Sequence, residues 1–106
     1  MIRVAFTMKL KRGFEEEYKR RHDEIWPELK DELLKSGIVD YSIFLDRETL
    51  TLFGVQKLKD DNTTELLPKK EIMRKWWDYM ADIMETNPDN SPVVKNLEEV
   101  FHIEAK

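Results

Sequence analysis

Tyr18, His22 and Trp26 recur at four-residue intervals in EEEYKRRHDEIWPEL, residues 15–29. On a helix that spacing stacks all three on one side, a turn apart. At ~100° per residue, Phe14, Tyr18, His22, Ile25, Trp26, Leu29 and Leu33 form one stripe, with most of the charged residues opposite. A titratable ring therefore sits where a leucine would pack better. One account is structural, a half-buried histidine donating to a carbonyl. The other is chemical, an acid/base that titrates near neutrality among aromatic neighbours.

More aromatic residues with polar tips lie downstream. KWWDYM supplies Trp76 and Trp77, and DYSIFLD supplies Tyr41. Such a set suits a sugar: indoles pack on the apolar C–H faces of the ring, and phenols and amides bond its hydroxyl rim. Adjacent helical residues are ~100° apart, so the two indoles cannot reach the same depth. One of them is then ordinary packing, and the sequence does not say which. NPDNSPV is a sufficient helix stop and turn as it stands. It also puts Asn87, Asp89 and Asn90 just beyond the tryptophan helix, in reach of sugar hydroxyls. His102, between Phe101 and Ile103, reads as a sheet residue and not as a second catalyst.

The elements that must position these residues follow from periodicity. IRVAFTMKL alternates, with Ile2, Val4, Phe6, Met8 and Leu10 on one face, and predicts a first strand. An amphipathic helix is expected over 14–35, kinked or broken at Pro27 and stopped at Gly37. IVDYSIFLD and LTLFGVQKL, joined by RET, predict an antiparallel hairpin. A polar loop follows. The second helix is expected over 69–84 with Ile72, Trp76, Tyr79, Met80 and Ile83 buried, Asn87 capping its end before Pro88. LEEVFHIEA predicts a last strand. The order βαββαβ is α+β and ferredoxin-like, two helices on one face of an antiparallel sheet. Phe53 and Val55 give the opposite face apolar residues too, which predicts a twin sheet against it and hence a homodimer.

Bulk composition narrows the function. The 106 residues fit a single domain, 1–106, and 41% hydrophobic content supports a core. A net charge of −4 with interleaved signs argues against a nucleic-acid partner. With no cysteine there is neither disulfide nor thiolate chemistry. The start MIRVAFTMKL lacks a signal peptide's apolar run, and no stretch approaches membrane-spanning length. A soluble cytoplasmic protein without membrane partners is the expectation. Three glycines make a phosphate loop improbable. The two histidines have no metal-ligand spacing, and no G-x-S-x-G elbow is present.

Taken together, YKRRHDEIWPEL, the tyrosine of DYSIFLD, KWWDYM and NPDNSPV, in that order over essentially the whole chain, closely resemble the L-rhamnose mutarotase family. The resemblance implies a dimeric α/β barrel and interconversion of the α and β anomers of L-rhamnopyranose, with no cofactor and no metal. It also implies that His22 is the proton donor and that Tyr18, Tyr41, Trp76 and Trp77 contact the sugar. The group that complements His22 stays open between Tyr18, the turn of residues 87–90 and a water. The alternatives are a lactone isomerase or small monooxygenase on the same barrel, and a non-catalytic sugar-binding dimer.

Overall fold

In the computed structural model, which describes residues 1–105, the chain runs β1 (Ile2–Lys9), α1 (Glu15–Asp23), α2 (Pro27–Lys35), β2 (Ile38–Asp46) and β3 (Thr51–Leu58). A 3-10 helix (Thr64–Lys69), α3 (Glu71–Met80) and β4 (Lys95–Leu97) complete it. All strand pairs are antiparallel, in the order β2-β3-β1-β4. This is the ferredoxin-like arrangement that the element order predicts.

Register fixes what faces the helices. Met8 lies opposite Leu52, and Leu52 opposite Leu45; Phe6, Gly54 and Ile43 form the next row, and Val4, Gln56 and Tyr41 the one after. The first two rows pack onto a core containing Tyr18, Leu29, Trp76 and Ile83. Leu10, Leu29, Leu52 and Ile83 are fully buried, each worth about 1.5–3 kcal/mol by area. The other sheet face leaves Phe44, Phe53 and Val55 exposed.

The long first helix is in fact two. Pro27 has no N–H to donate and occupies the first turn of α2, where that donor is not needed. Residues 24–26 form the break between α1 and α2. Gly37 turns the chain out of α2 at φ 104°, and a Cβ there would lie 2.7 Å from that of Asn62.

Three expectations need correction. α3 spans Glu71–Met80 rather than 69–84, because Pro68 belongs to the preceding 3-10 helix and Arg21 takes the Tyr79 carbonyl at 2.8 Å. Asn87 therefore does not end that helix; it closes the later turn, its N–H donating to Ser91 at 2.8 Å. The last strand covers Lys95–Leu97 only, pairing with Ala5–Thr7 of β1. Val100, Phe101 and Ile103 beyond it are 76–86% exposed, and His102 lies in this tail rather than in the sheet. Alternation in sequence marks a strand-forming segment but does not fix its pairing: β1 continues to Ile2, yet past Leu97 the tail meets it only through the Arg3–Glu99 side-chain pair.

Candidate functional site

Helices α1 and α3 and strand β2 bring the candidate side chains together on one face of the sheet. α1 brings Tyr18 and His22, one turn apart, with rings stacked at 4.2 Å and 26°. His22 Nδ1 lies 3.0 Å from the Tyr18 carbonyl. A carbonyl only accepts, so Nδ1 carries a hydrogen, and the proton that comes and goes belongs to Nε2. Among the described residues Nε2 has no hydrogen-bond partner, and no buried side-chain nitrogen or oxygen is left unsatisfied. Nε2 is therefore open to the cleft that His22 lines. Burial holds the His22 pKa below its ordinary value, opposed by the Tyr18 hydrogen bond and by Asp23.

α3 contributes the indoles at two depths. Trp76 is buried, edge-on to His22 at 5.4 Å and to Trp26 at 5.0 Å. Trp77 is half-buried and lines the same cleft. The expected difference in depth is present, with Trp76 the more deeply packed. From β2, Tyr41 meets Phe6 edge-on at 6.3 Å. Burial pushes the Tyr41 hydroxyl up to about 12, partly offset by Gln56. Tyr18 is raised by burial and then by Tyr41. Both phenols stay protonated through the physiological range, as neutral donors and acceptors.

Tyr18, His22, Tyr41, Trp76 and Trp77 thus share the lining of one broad cleft of about 1330 Å³. Asn87 and Asp89 do not join them. Asn87 donates its side-chain amide to Ser91 at 3.1 Å, and Asp89 accepts from the Ser91 backbone and hydroxyl, which lowers its pKa. Both serve the turn. Asn90, held at φ 69° with its amide donated to Asp78 at 3.0 Å, does reach a smaller recess beside the cleft. Among the described residues no group of three or more His, Asp and Glu side chains is placed to hold a metal ion.

Two contributors escape a reading of the sequence. Arg21, next to His22, is buried and clamps α1 to the end of α3. Its guanidinium donates to Glu17 (2.7 Å), Asp82 (2.9 Å) and the Tyr79 carbonyl, and lies 4.4 Å from the Tyr79 ring centroid. Only the Glu17–Arg21 spacing signals it in advance. Gly54 is the second. A Cβ there would sit 2.5 Å from Phe6 Cζ, so the bare backbone lets that ring lie across the sheet toward Tyr41. A glycine inside a strand pattern is the available signal.

Fold and cleft together describe a small α+β protein with an imidazole on the lining of an aromatic-walled cleft. Comparison with known proteins narrows this. The family model for L-rhamnose mutarotase matches residues 3–103. An L-rhamnose mutarotase of Flavobacterium johnsoniae is 63% identical over 97% of this chain and 96% of its own length. One of Rhizobium johnstonii is 63% identical over 93% of each. A crystal structure of an L-rhamnose mutarotase from Formosa agariphila superposes with a TM-score of 0.91 at 55% identity, covering 98% of this chain and 100% of that one. A Pseudomonas aeruginosa protein of 13% identity and TM-score 0.58 shares the fold alone. The chain belongs to the L-rhamnose mutarotase family. No helix among the described residues is long and apolar enough to cross a membrane.

Proposed function

We propose that this chain is an L-rhamnose mutarotase, interconverting the α and β anomers of L-rhamnopyranose, with His22 as the proton donor. What carries the reading beyond family membership is the His22 geometry: Nδ1–H is committed to Tyr18, and Nε2 is unpartnered at an aromatic-lined cleft. Protonated Nε2 donates to the ring oxygen as the C1–O5 bond breaks. The anomeric hydroxyl gives up its proton and becomes the aldehyde. After rotation about C1–C2, neutral Nε2 takes the proton back from O5 while O5 adds to the other face of C1, and the carbonyl oxygen is reprotonated. The Nδ1 hydrogen bond is the same before and after, so the ring need not move between donating and accepting.

Tyr18, Tyr41, Trp76 and Trp77 hold the sugar in this reading, the indole of Trp77 on a ring face and the phenols on its hydroxyls. Tyr18 stays protonated and cannot serve as a phenolate base at neutral pH. With Asn87 and Asp89 engaged in their own turn, a water is the simplest acceptor for the anomeric proton. No metal or organic cofactor is needed. The enzyme works as a homodimer, in the cytoplasm.

The test is anomer exchange by proton NMR: saturate one anomeric signal of L-rhamnose and observe the other, without protein, with wild type and with His22→Ala. Transfer by wild type that falls about 100-fold or more in the variant is the expected result. Equal transfer by both keeps the activity and removes His22 from the chemistry. No transfer above the blank from folded protein rejects the mutarotase and points to lactones and phenols.

A further inference from the structure

The chain has five methionines. All except Met1 line a single recess of about 80 Å³: Met8 from β1, Met73 and Met80 from α3, and Met84 just after it. Thioether side chains make a wall that is apolar, polarizable and able to conform to a small group. Tyr18, His22, Tyr41, Trp76 and Trp77 line both this recess and the broad cleft. The recess therefore adjoins the cleft, and His22 stands on the lining they share.

Its size sets what it can hold. A water molecule's share of liquid volume is about 30 Å³, so the recess takes a small appendage and not a sugar ring. In a pyranose the ring oxygen is flanked by C1, with its hydroxyl, and by C5, with the exocyclic carbon C6. Carbon C6 is two bonds from that oxygen, roughly 2.4 Å at tetrahedral geometry. Any pose that brings the ring oxygen to His22 Nε2 brings C6 against whatever adjoins the imidazole.

We infer that the recess of Met8, Met73, Met80 and Met84 is the subsite for the C6 methyl group of a 6-deoxy sugar and the determinant of discrimination against C6-hydroxylated hexoses. The inference rests on the mutarotase reading and extends it. A hydroxymethyl group there would surrender its water hydrogen bonds to a thioether wall. The polar tips of Tyr18, His22 and Tyr41 lie on the lining shared with the cleft; away from it the recess has only Thr86 and Asn90, and the Asn90 amide is already donated to Asp78.

Two measurements decide it. Protein carrying 13C-labelled methionine methyl groups is titrated with L-rhamnose. Nuclear Overhauser contacts are expected from the sugar's methyl group to the methionines of the recess and not to Met1. Contacts running instead to leucine methyls of the outer cleft, such as Leu33 and Leu67, or no contact to the four methionines, overturn the subsite. The second measurement compares exchange on L-rhamnose and on L-mannose, its C6-hydroxylated counterpart, for wild type, Met73→Ser and Met73→Leu. Met73 is only half-buried, so its variants should fold. Wild type should favour L-rhamnose by roughly 10–200-fold; Met73→Ser should narrow the ratio about 5-fold or more, and Met73→Leu should restore it. A ratio unchanged in Met73→Ser counts against the inference. Absence of exchange on both sugars removes the mutarotase reading, and the contacts, which need binding only, still decide the subsite.

Discussion

A histidine half-buried between a tyrosine and a tryptophan costs stability whenever it is charged, and at His22 that cost has a measurable signature. Burial lowers its pKa below 6.5. In the window between the folded value and 6.5 the unfolded chain binds the proton more readily, so stability rises with pH. His22→Leu should therefore be more stable than wild type, with a gain larger at pH 5 than at pH 8 in urea titrations. The carboxylates do not confuse this window. Glu17, held near 2 by Arg20 and Arg21, loses its contribution as pH falls from 4.5 to about 2, below the pH 5 to 8 range compared. Catalysis has the companion sign: as donor His22 must be protonated, so exchange should decline as pH rises through a midpoint below 6.5. A rate that is flat or rising from pH 5 to 8 would remove the donor role. At this scale the sequence was informative where helical spacing did the work, as it did for Tyr18, His22 and the two indoles. It was blind to Met8, Met80 and Met84, whose convergence needs β1, α3 and the segment after α3 folded together. It also could not say that Asn87 and Asp89 turn inward on their own loop, because an Asx turn and a ligand contact use the same residue types.

Elements carry the next set of constraints. The sheet must be bare at Gly54 for Phe6 to lie across it and meet Tyr41. Gly54→Ala should destabilise by about 1–3 kcal/mol through overpacking, read from the urea midpoint. Adding Phe6→Leu should recover part of that loss, since the two changes share one contact. Strictly additive losses would disprove the steric account. The broken first helix was legible in Pro27, and the hairpin in its alternating runs, to within a residue. Leu50 made the difference there. It takes φ 60° with its side chain buried and its N–H on the Asp46 carbonyl at 2.8 Å, so β3 begins at Thr51. The end of α3 was not legible, because the group that takes its carbonyl is Arg21, far away in sequence. Nor was the short β4, since pattern alone cannot say how far a segment stays paired with its neighbour.

For the whole molecule the unresolved balance is apolar surface. Phe44 is 63% exposed, and Phe53, Val55 and Leu97 add to the same outer sheet face. The register makes that face continuous: Phe44 lies opposite Phe53, and Val55 opposite Ala5, which lies opposite Leu97. Past Leu97 the tail presents Val100, Phe101 and Ile103 to solvent. Such a contiguous apolar surface is unusual on a monomer, and an aligned sheet-on-sheet contact would bury it with matching geometry. The proposed homodimer places two copies face to face across it, with each tail laid over the partner. Sedimentation equilibrium should then give twice the 12.8 kDa chain mass. Phe53→Lys should shift the protein toward monomer. Its side chain is on the face away from the cleft, so His22 keeps its surroundings within the chain. Exchange that survives in a folded Phe53→Lys monomer would mean one chain suffices for the chemistry; exchange lost with the dimer would mean the cleft is completed by the partner. A wild-type protein that sediments as a monomer at all concentrations would overturn the face-to-face pairing itself.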